Sequence, residues 1–341
     1  MSLPISKKNN AKSIYNKNIY LNFAKYILNC QDSDGGIRWE PSSKLDPWDH
    51  IESAMGIDVL GFESESKKAY EWLESNQETD GSWYSLYHCP ETNFLKETNF
   101  SSYIAVGMWH HYLNFKDKKF LRRFWPSLDL AIKFTLSGQT KHGDISWAKD
   151  QENWLDDSLK TGCSSIYMSL ISYKKIAKEI KAKDRVTDEQ LKKLKNCINS
   201  KSYRFDRNWE SKSRYSMDWY YPILSGAFNK NRAISTIKER WNDFVIDELG
   251  CKCVAEEPWV TAAESSELVL ALVRIGLKKE AEKILQDTFN LIDDDGLLWT
   301  GYVYKDKKFW PIEKPSWTAG AAILAGNSLN KFSNSWDFFN F

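Results

Sequence analysis

The chain has 341 residues, and 47 Lys and Arg against 46 Asp and Glu leave a formal net charge of +1. A surface so balanced has no field to gather nucleic acid or anionic lipid, which excludes function classes built on a strongly basic face. Aromatic content of 14%, with 16 Trp and 16 Tyr, points instead to a large core with π faces to spare for a ligand.

The opening stretch MSLPISKKNNAKS carries lysines without the apolar core of a signal peptide, so residues 1–18 read as a polar N-terminal arm. No segment reaches the ~18 consecutive apolar residues of a membrane span. Six cysteines scattered through a chain of this length read as reduced thiols, and the expected compartment is the cytoplasm. From residue 19 to 335 two kinds of helix alternate. Polar-faced helices are expected near Tyr20–Cys30, Glu65–Asn76, Phe120–Ser137, Asp188–Ile198, Asn231–Asp247 and Lys278–Asn290. Between them lie segments apolar on nearly every face: Asp49–Leu60, Asn99–Leu113, Thr161–Ile176, Met217–Phe228, Thr261–Ile275 and Ser316–Leu329. Strand patterns are scarce. The reading is an all-α chain, a single-domain (α/α)6 toroid of six helical hairpins, with an outer ring around an inner one.

The joints repeat as well. Gln31, Gln77 and Gln139 each precede a glycine turn, at Asp34-Gly35, Asp80-Gly81 and Gly143-Asp144, and Asp293-Asp294-Asp295-Gly296 carries a fourth. Glycine accepts positive φ and aspartate bonds its own backbone, so these are tight turns. A tryptophan follows each (Trp39, Trp83, Trp147, Trp299) and is expected to plug the seam between hairpins. Repeats at spacings of roughly 45 to 60 residues signal stacked units that bury a face on their neighbours.

In such a toroid all inner helices begin at one end, so the chemistry is expected where their first turns converge. The first offers Trp48, Asp49, His50 and Glu52; the second follows Glu97 with Asn99 and, further in, Trp109 and His110. The third opens with Thr161 and Ser164, the fourth with Asp218, Trp219 and Tyr220, the fifth with Trp259 and Glu264, and the sixth with Trp317. Small polar and acidic residues at helix starts are also ordinary caps, each worth ~1 kcal/mol. Glu52 and Glu264 resist that explanation, because each sits among small or apolar residues where an unpaired carboxylate is costly and its pKa rises. Candidate catalytic groups are therefore Glu52, Glu264, Asp218 and Glu97. Asp156 and Asp157, in the polar stretch KDQENWLDDSLK beside Lys160, read as hydrated and ordinary. No HExxH-like spacing occurs and Cys251-Lys252-Cys253 is too tight for a metal pair, so neither metal nor cofactor is expected. Trp48, Trp109, Trp219, Trp259 and Trp317 are candidates to line the cavity, together with His50, Asn99, His110, Thr161, Ser164 and Tyr220.

The segment QETDGSW, with tryptophan six residues after glutamine, resembles the QW repeat of squalene and other triterpene cyclases, and QDSDGGIRW is a looser copy. DPWDHIESAMGIDVLG, KTGCSSIYMSL and PWVTAAESSELVLAL resemble bacterial prenyltransferase-like, squalene-cyclase-like proteins, and the likeness runs roughly from Cys30 to Leu329. It implies the terpenoid cyclase and protein prenyltransferase α/α-toroid superfamily. The DxDD acid motif of the cyclases is incomplete at Asp156-Asp157, and the DxC zinc pair of the prenyltransferases does not occur. The resemblance implies an enzyme in which a carboxylic acid protonates an isoprenoid and aromatic faces stabilise the cation; the burial argument puts that acid at Glu52 or Glu264 rather than Asp157. The bowl of carboxylates and hydroxyls supports an alternative, a carbohydrate-active enzyme with paired carboxylates. A non-catalytic binding scaffold is a third reading. Each takes a small-molecule ligand, isoprenoid or sugar.

Overall fold

A computed structural model describes residues 12–89 and 94–340. The first 11 residues of the arm lie outside them. The described chain alternates outer and inner helices: α1 Lys17–Asn29, α2 Pro47–Val59, α3 Glu63–Ser75, α4 Thr98–Phe115, α5 Lys118–Ser137, α6 Lys160–Ile180, α7 Asp188–Ser200, α8 Ser216–Leu224, α9 Lys230–Phe244, α10 Ala262–Ile275, α11 Lys278–Thr288 and α12 Ser316–Asn330. Each even-numbered helix packs on the next, and α12 packs on α2, so the inner ring closes. Close approach at that closure depends on glycine. A Cβ added to Gly56 of α2 would come within 2.9 Å of the Gly320 Cα in α12.

The inner helices are buried nearly all round because their sequences are apolar or small on every face. In α2 every residue except Asp49 is buried, and in α12 every residue except Trp317 and the terminal Asn330. The outer helices bury one stripe, as Ala281, Ile284, Leu285 and Thr288 do in α11.

The glutamines at the joints share one role. Gln77 Nε2 donates to the Gly81 carbonyl and to the Ser127 carbonyl of α5, both at 2.9 Å. Gln31 makes the same pair to Gly35 and Glu65, and Gln139 to Gly143 and Gln190. In the fourth joint Asn22 of α1 reaches back to the Gly296 carbonyl at 3.1 Å. The turn glycines have φ of 101°, 96°, 101° and 79°, which other residues adopt only under strain. The motif that resembles a QW repeat is thus a backbone clamp between one hairpin and the next outer helix.

The tryptophans are out of register with one another. The position two after each turn glycine is Ile37, Trp83, Ile145 or Leu298, and all four are buried. Trp83 fills its seam, with Nε1 donating to the Leu73 carbonyl at 2.8 Å. Trp39, Trp147 and Trp299 lie further along and remain partly exposed.

Strands occur where the sequence signalled none. β1 Lys96–Glu97 pairs with β2 Ala148–Lys149, and β3 Val245–Ile246, β4 Gly250–Lys252, β5 Trp259–Thr261, β6 Gly301–Val303 and β7 Lys308–Phe309 form an antiparallel sheet in that order. Two or three residues are too few to show a period-2 pattern. All lie in connections from an outer to an inner helix, so they build up the same end of the ring. The opposite end is stoppered by the C-terminal segment: Ser335 Oγ meets His110 Nε2 at 2.7 Å, and Phe338 and Phe339 are buried. Among the described residues no helix is long and apolar enough to cross a membrane.

Candidate active site

A cavity of about 460 Å³ opens at the end where the inner helices begin. All six contribute: Trp48 and Asp49 from α2, Asn99 and Phe100 from α4, Thr161 and Gly162 from α6, Met217 and Asp218 from α8, Glu264 from α10 and Trp317 from α12. Trp39, Asp46, Leu159, Lys212 and Tyr215 complete the wall from the joints. Lys160 apart, the inner-helix residues left incompletely buried near the helix starts (Asp49, Phe100, Thr161, Met217, Trp317) are cavity residues. A break in an otherwise apolar surface is thus the local signature of the site.

The walls are aromatic and the floor is acidic. Trp39 and Trp317 lie 6.1 Å apart, and Trp48 stacks on Tyr103 at 5.0 Å with the rings 26° from parallel. Trp48 Nε1 donates to Glu52 Oε2 at 3.1 Å, fixing the indole to a carboxyl one turn below it. Glu52 is buried, and burial pushes its pKa up to about 7 against the opposing Trp48 hydrogen bond, helped by the charges of Asp46 and Glu264. Asp46 caps α2, accepting from the Asp49 N–H at 2.9 Å. Burial, then the charge of Asp46, raises Asp49 well above the usual carboxylate range. Glu267, a turn beyond Glu264, is raised likewise by burial and by the charge of Glu52, and it accepts the Tyr220 hydroxyl. Clustered carboxyls in low dielectric cannot all ionise: burial raises the pKa of Asp46, and burial with mutual repulsion raises those of Asp49, Glu52 and Glu267.

Of the residues singled out in the sequence, Trp48, Asn99, Thr161, Asp218, Glu264 and Trp317 come together on the cavity wall. Asp218 is engaged there, accepting from the Thr161 N–H at 3.1 Å and the Thr161 hydroxyl at 2.6 Å. Glu52 lies behind Trp48. Glu97 sits in β1, outside the wall, its pKa raised to about 7 by burial, with Ser85 opposing and Asp46 adding to the rise.

The others face elsewhere for identifiable reasons. His50 accepts from the Ile37 N–H at 2.9 Å through Nδ1 and meets the Ala69 carbonyl at 2.9 Å through Nε2; burial lowers its pKa to about 4. Ser101 and Cys163 occupy the same fourth position of α4 and α6 and take the equivalent N–H groups of Trp83 and Ile145, so His50 belongs to the hairpin repeat. His110 is bound to Ser335 at the stoppered end, and Trp109 packs on Tyr112. Trp219 stacks on Phe244 and donates to the Thr236 carbonyl at 2.8 Å. Ser164 bonds the Lys160 carbonyl of its own helix, Tyr220 serves Glu267, and Trp259 donates to the Trp310 carbonyl at 2.8 Å.

Asp157 is not hydrated, as its polar neighbourhood in the sequence led one to expect. It is buried and accepts from the N–H groups of Ser158, Arg207 and Asn208, while Arg207 pairs with Asp156 at 2.7 Å. Asp49 stands among the first-turn residues of the sequence but not among its candidate catalytic groups, and Asp46 not at all, because Asp-x-x-Asp at a helix start also reads as a cap and a first-turn charge. Their signal was the apolar setting of DPWDHI. Among the described residues no group of three or more His, Cys, Asp or Glu is placed to hold a metal.

No family model matches the chain. The MMP endo-(1,4)-3-O-methyl-alpha-D-mannosidase of Mycolicibacterium hassiacum is 37% identical over 309 residues, which cover 90% of this chain and 85% of that protein. A solved glycosidase bound to glucose superposes with a TM-score of 0.75 at 12% identity, over 96% of this chain and 99% of its own. The GH63 mannosylglycerate hydrolase of Thermus thermophilus, in complex with Tris and D-glycerate, gives 0.70 at 11% identity, over 89% and 99%. At such identities these structures establish the (α/α)6 fold alone. The mannosidase relative overturns the terpenoid cyclase and prenyltransferase resemblance, and with it the isoprenoid substrate and cyclase-type activity. The physical reason is visible at the joints, where the QW-like segments are backbone clamps that any stacked helical hairpin can use. By identity and coverage together, the chain belongs to the family of the MMP endo-(1,4)-3-O-methyl-alpha-D-mannosidase.

Proposed function

We propose that the protein is a glycoside hydrolase that cleaves within a (1,4)-linked 3-O-methyl-α-D-mannose chain, the linkage in its relative's name. The observation that carries the reading is a cavity lined by both aromatic faces and carboxyls from separate inner helices, with Asp49 on α2 and Glu264 on α10. Trp39, Trp48 and Trp317 offer flat apolar surfaces to the C–H faces of sugar rings. Asp49, whose pKa is raised by burial and by the charge of Asp46, is the carboxyl that donates a proton to the glycosidic oxygen as the bond breaks. Glu264 supplies the second carboxylate, which takes a proton from the water that attacks the anomeric carbon, so that the new C–O bond forms as the glycosidic C–O bond breaks. Glu52, buried behind Trp48, holds that wall, and its charge adds to the rise in the Asp49 pKa.

The test is release of new reducing ends from a (1,4)-linked 3-O-methyl-α-D-mannose oligosaccharide. Wild type should be active, and Glu264→Gln and Asp49→Asn should each lose on the order of 10²-fold or more in kcat with unchanged thermal unfolding. An inert wild type would favour a sugar-binding scaffold. Full activity in both variants would remove these two residues from the mechanism.

A further inference from the structure

The joints that build up the cavity end also carry the chain's exposed tryptophans. Trp209, in the connection from α7 to α8, is 38% exposed, and Trp310, in the connection from α11 to α12, is 50% exposed. Each is held by a second indole. Trp147 meets Trp209 edge to face at 5.1 Å, and Trp259 meets Trp310 edge to face at 5.1 Å. Trp259 also donates to the Trp310 carbonyl at 2.8 Å. A partner ring that fixes the orientation of an exposed indole lowers the entropy lost when a ligand stacks on it.

Their placement relates to the cavity. In the ring, α10 lies between α8 and α12, so the two platforms stand on either side of the helix that bears Glu264. On the α8 side the surface is continuous with the cavity. Lys212 Nζ lies 5.3 Å from the Trp209 ring and 5.6 Å from the ring of Tyr215, and both Lys212 and Tyr215 line the cavity. A cavity of about 460 Å³ holds only a few sugar rings, whereas a substrate cut internally must leave the cavity in both directions.

We propose that the Trp147–Trp209 and Trp259–Trp310 pairs are outer sugar-binding platforms, on which an extended saccharide chain stacks as it crosses the cavity mouth past Glu264. The inference rests on the glycoside hydrolase reading. It makes the enzyme selective for chain length: the platforms engage sugars remote from the cleaved bond and do not touch the reacting atoms.

Trp209→Ala and Trp310→Ala separate this role from a structural one. On a long 3-O-methylmannose oligosaccharide each should lower kcat/KM about tenfold, equivalent to about 1.4 kcal/mol, through KM with kcat kept. On a disaccharide-length substrate each should match wild type, and Trp209→Tyr and Trp310→Tyr should recover most of the loss. Equal losses on both lengths, or none on either, would overturn the proposal. Titration calorimetry of the Glu264→Gln protein with the same two oligosaccharides needs no turnover, and so keeps this test apart from that of catalysis. A preference for the long ligand that Trp209→Ala or Trp310→Ala abolishes supports the platforms; equal affinity for both lengths contradicts them even if hydrolysis is observed.

Discussion

Trp48 and Glu52 stand one helical turn apart, and the 3.1 Å bond between them joins a cavity wall to a buried carboxyl. Burial raises the folded-state pKa of Glu52 from 4.5 to about 7. The folded protein therefore holds a proton there that the unfolded chain releases more readily. Stability from this group is fully present below about 4.5 and is lost as pH rises through about 7, by on the order of 3 kcal/mol. Glu52→Gln keeps an acceptor for Trp48 and removes the titration, so urea unfolding at several pH values should show a flatter decline between pH 4.5 and 7 than wild type. An unchanged slope would mean that Glu52 is ionised throughout. His50 works in the opposite sense. Its pKa is lowered from 6.5 to about 4, so its contribution is present above 6.5 and lost as pH falls toward 4. At this scale the sequence was legible where a polar residue began an inner helix, as at Asn99, Thr161, Asp218 and Glu264. It misled at His50 and Trp219, because a side chain on an all-apolar helix can face the outer ring or a joint as readily as the lumen, and hydrophobic periodicity gives no direction on such a helix.

The joint is the element that repeats, and its energetics reside in a few bonds. Gln77 bridges the Gly81 carbonyl and α5, and also accepts from the Ser127 hydroxyl at 2.7 Å. Gln77→Ala leaves these partly buried groups unpaired and should cost about 2 kcal/mol in denaturant unfolding. Trp83→Ala, in the seam beside it, should cost ~3–5 kcal/mol, while oligosaccharide affinity of the folded fraction stays unchanged. Loss of binding at an unchanged melting temperature would instead place Trp83 in the site. The glutamine–glycine pattern was readable from the chain, but its meaning was not, since a clamp made of main-chain carbonyls looks the same whatever reaction the toroid supports. The short strands were invisible because each is set by its neighbour across the sheet. Val260 pairs with Lys252 and with Tyr302, the second of them distant in the chain.

At the scale of the whole molecule, alternating outer and inner segments were enough to imply a closed ring of six hairpins, because nearly all-round apolar helices must be enclosed. The helix borders moved by only a few residues. The closure itself depends on Gly56 against Gly320, and Gly56→Leu should open the α2–α12 contact and destabilise the protein by about 3 kcal/mol or more. Function was less legible, for fold and chemistry are separable: a ring that brings six helix starts to one cavity serves isoprenoids and sugars equally. What distinguishes them is the carboxyls of Asp46, Asp49 and Glu264 on the cavity wall, with Glu52 and Glu267 buried behind it, a setting that suits a glycosidic oxygen in need of a proton better than a polyene. The most direct measurement is the structure of the Glu264→Gln protein with a bound 3-O-methylmannose oligosaccharide. The expected result is a chain stacked against Trp39, Trp48 and Trp317, with one glycosidic oxygen within hydrogen-bond reach of Asp49 and its anomeric carbon facing position 264. A sugar bound away from this cavity, or lying in it with no linkage near Asp49, would contradict the assignment.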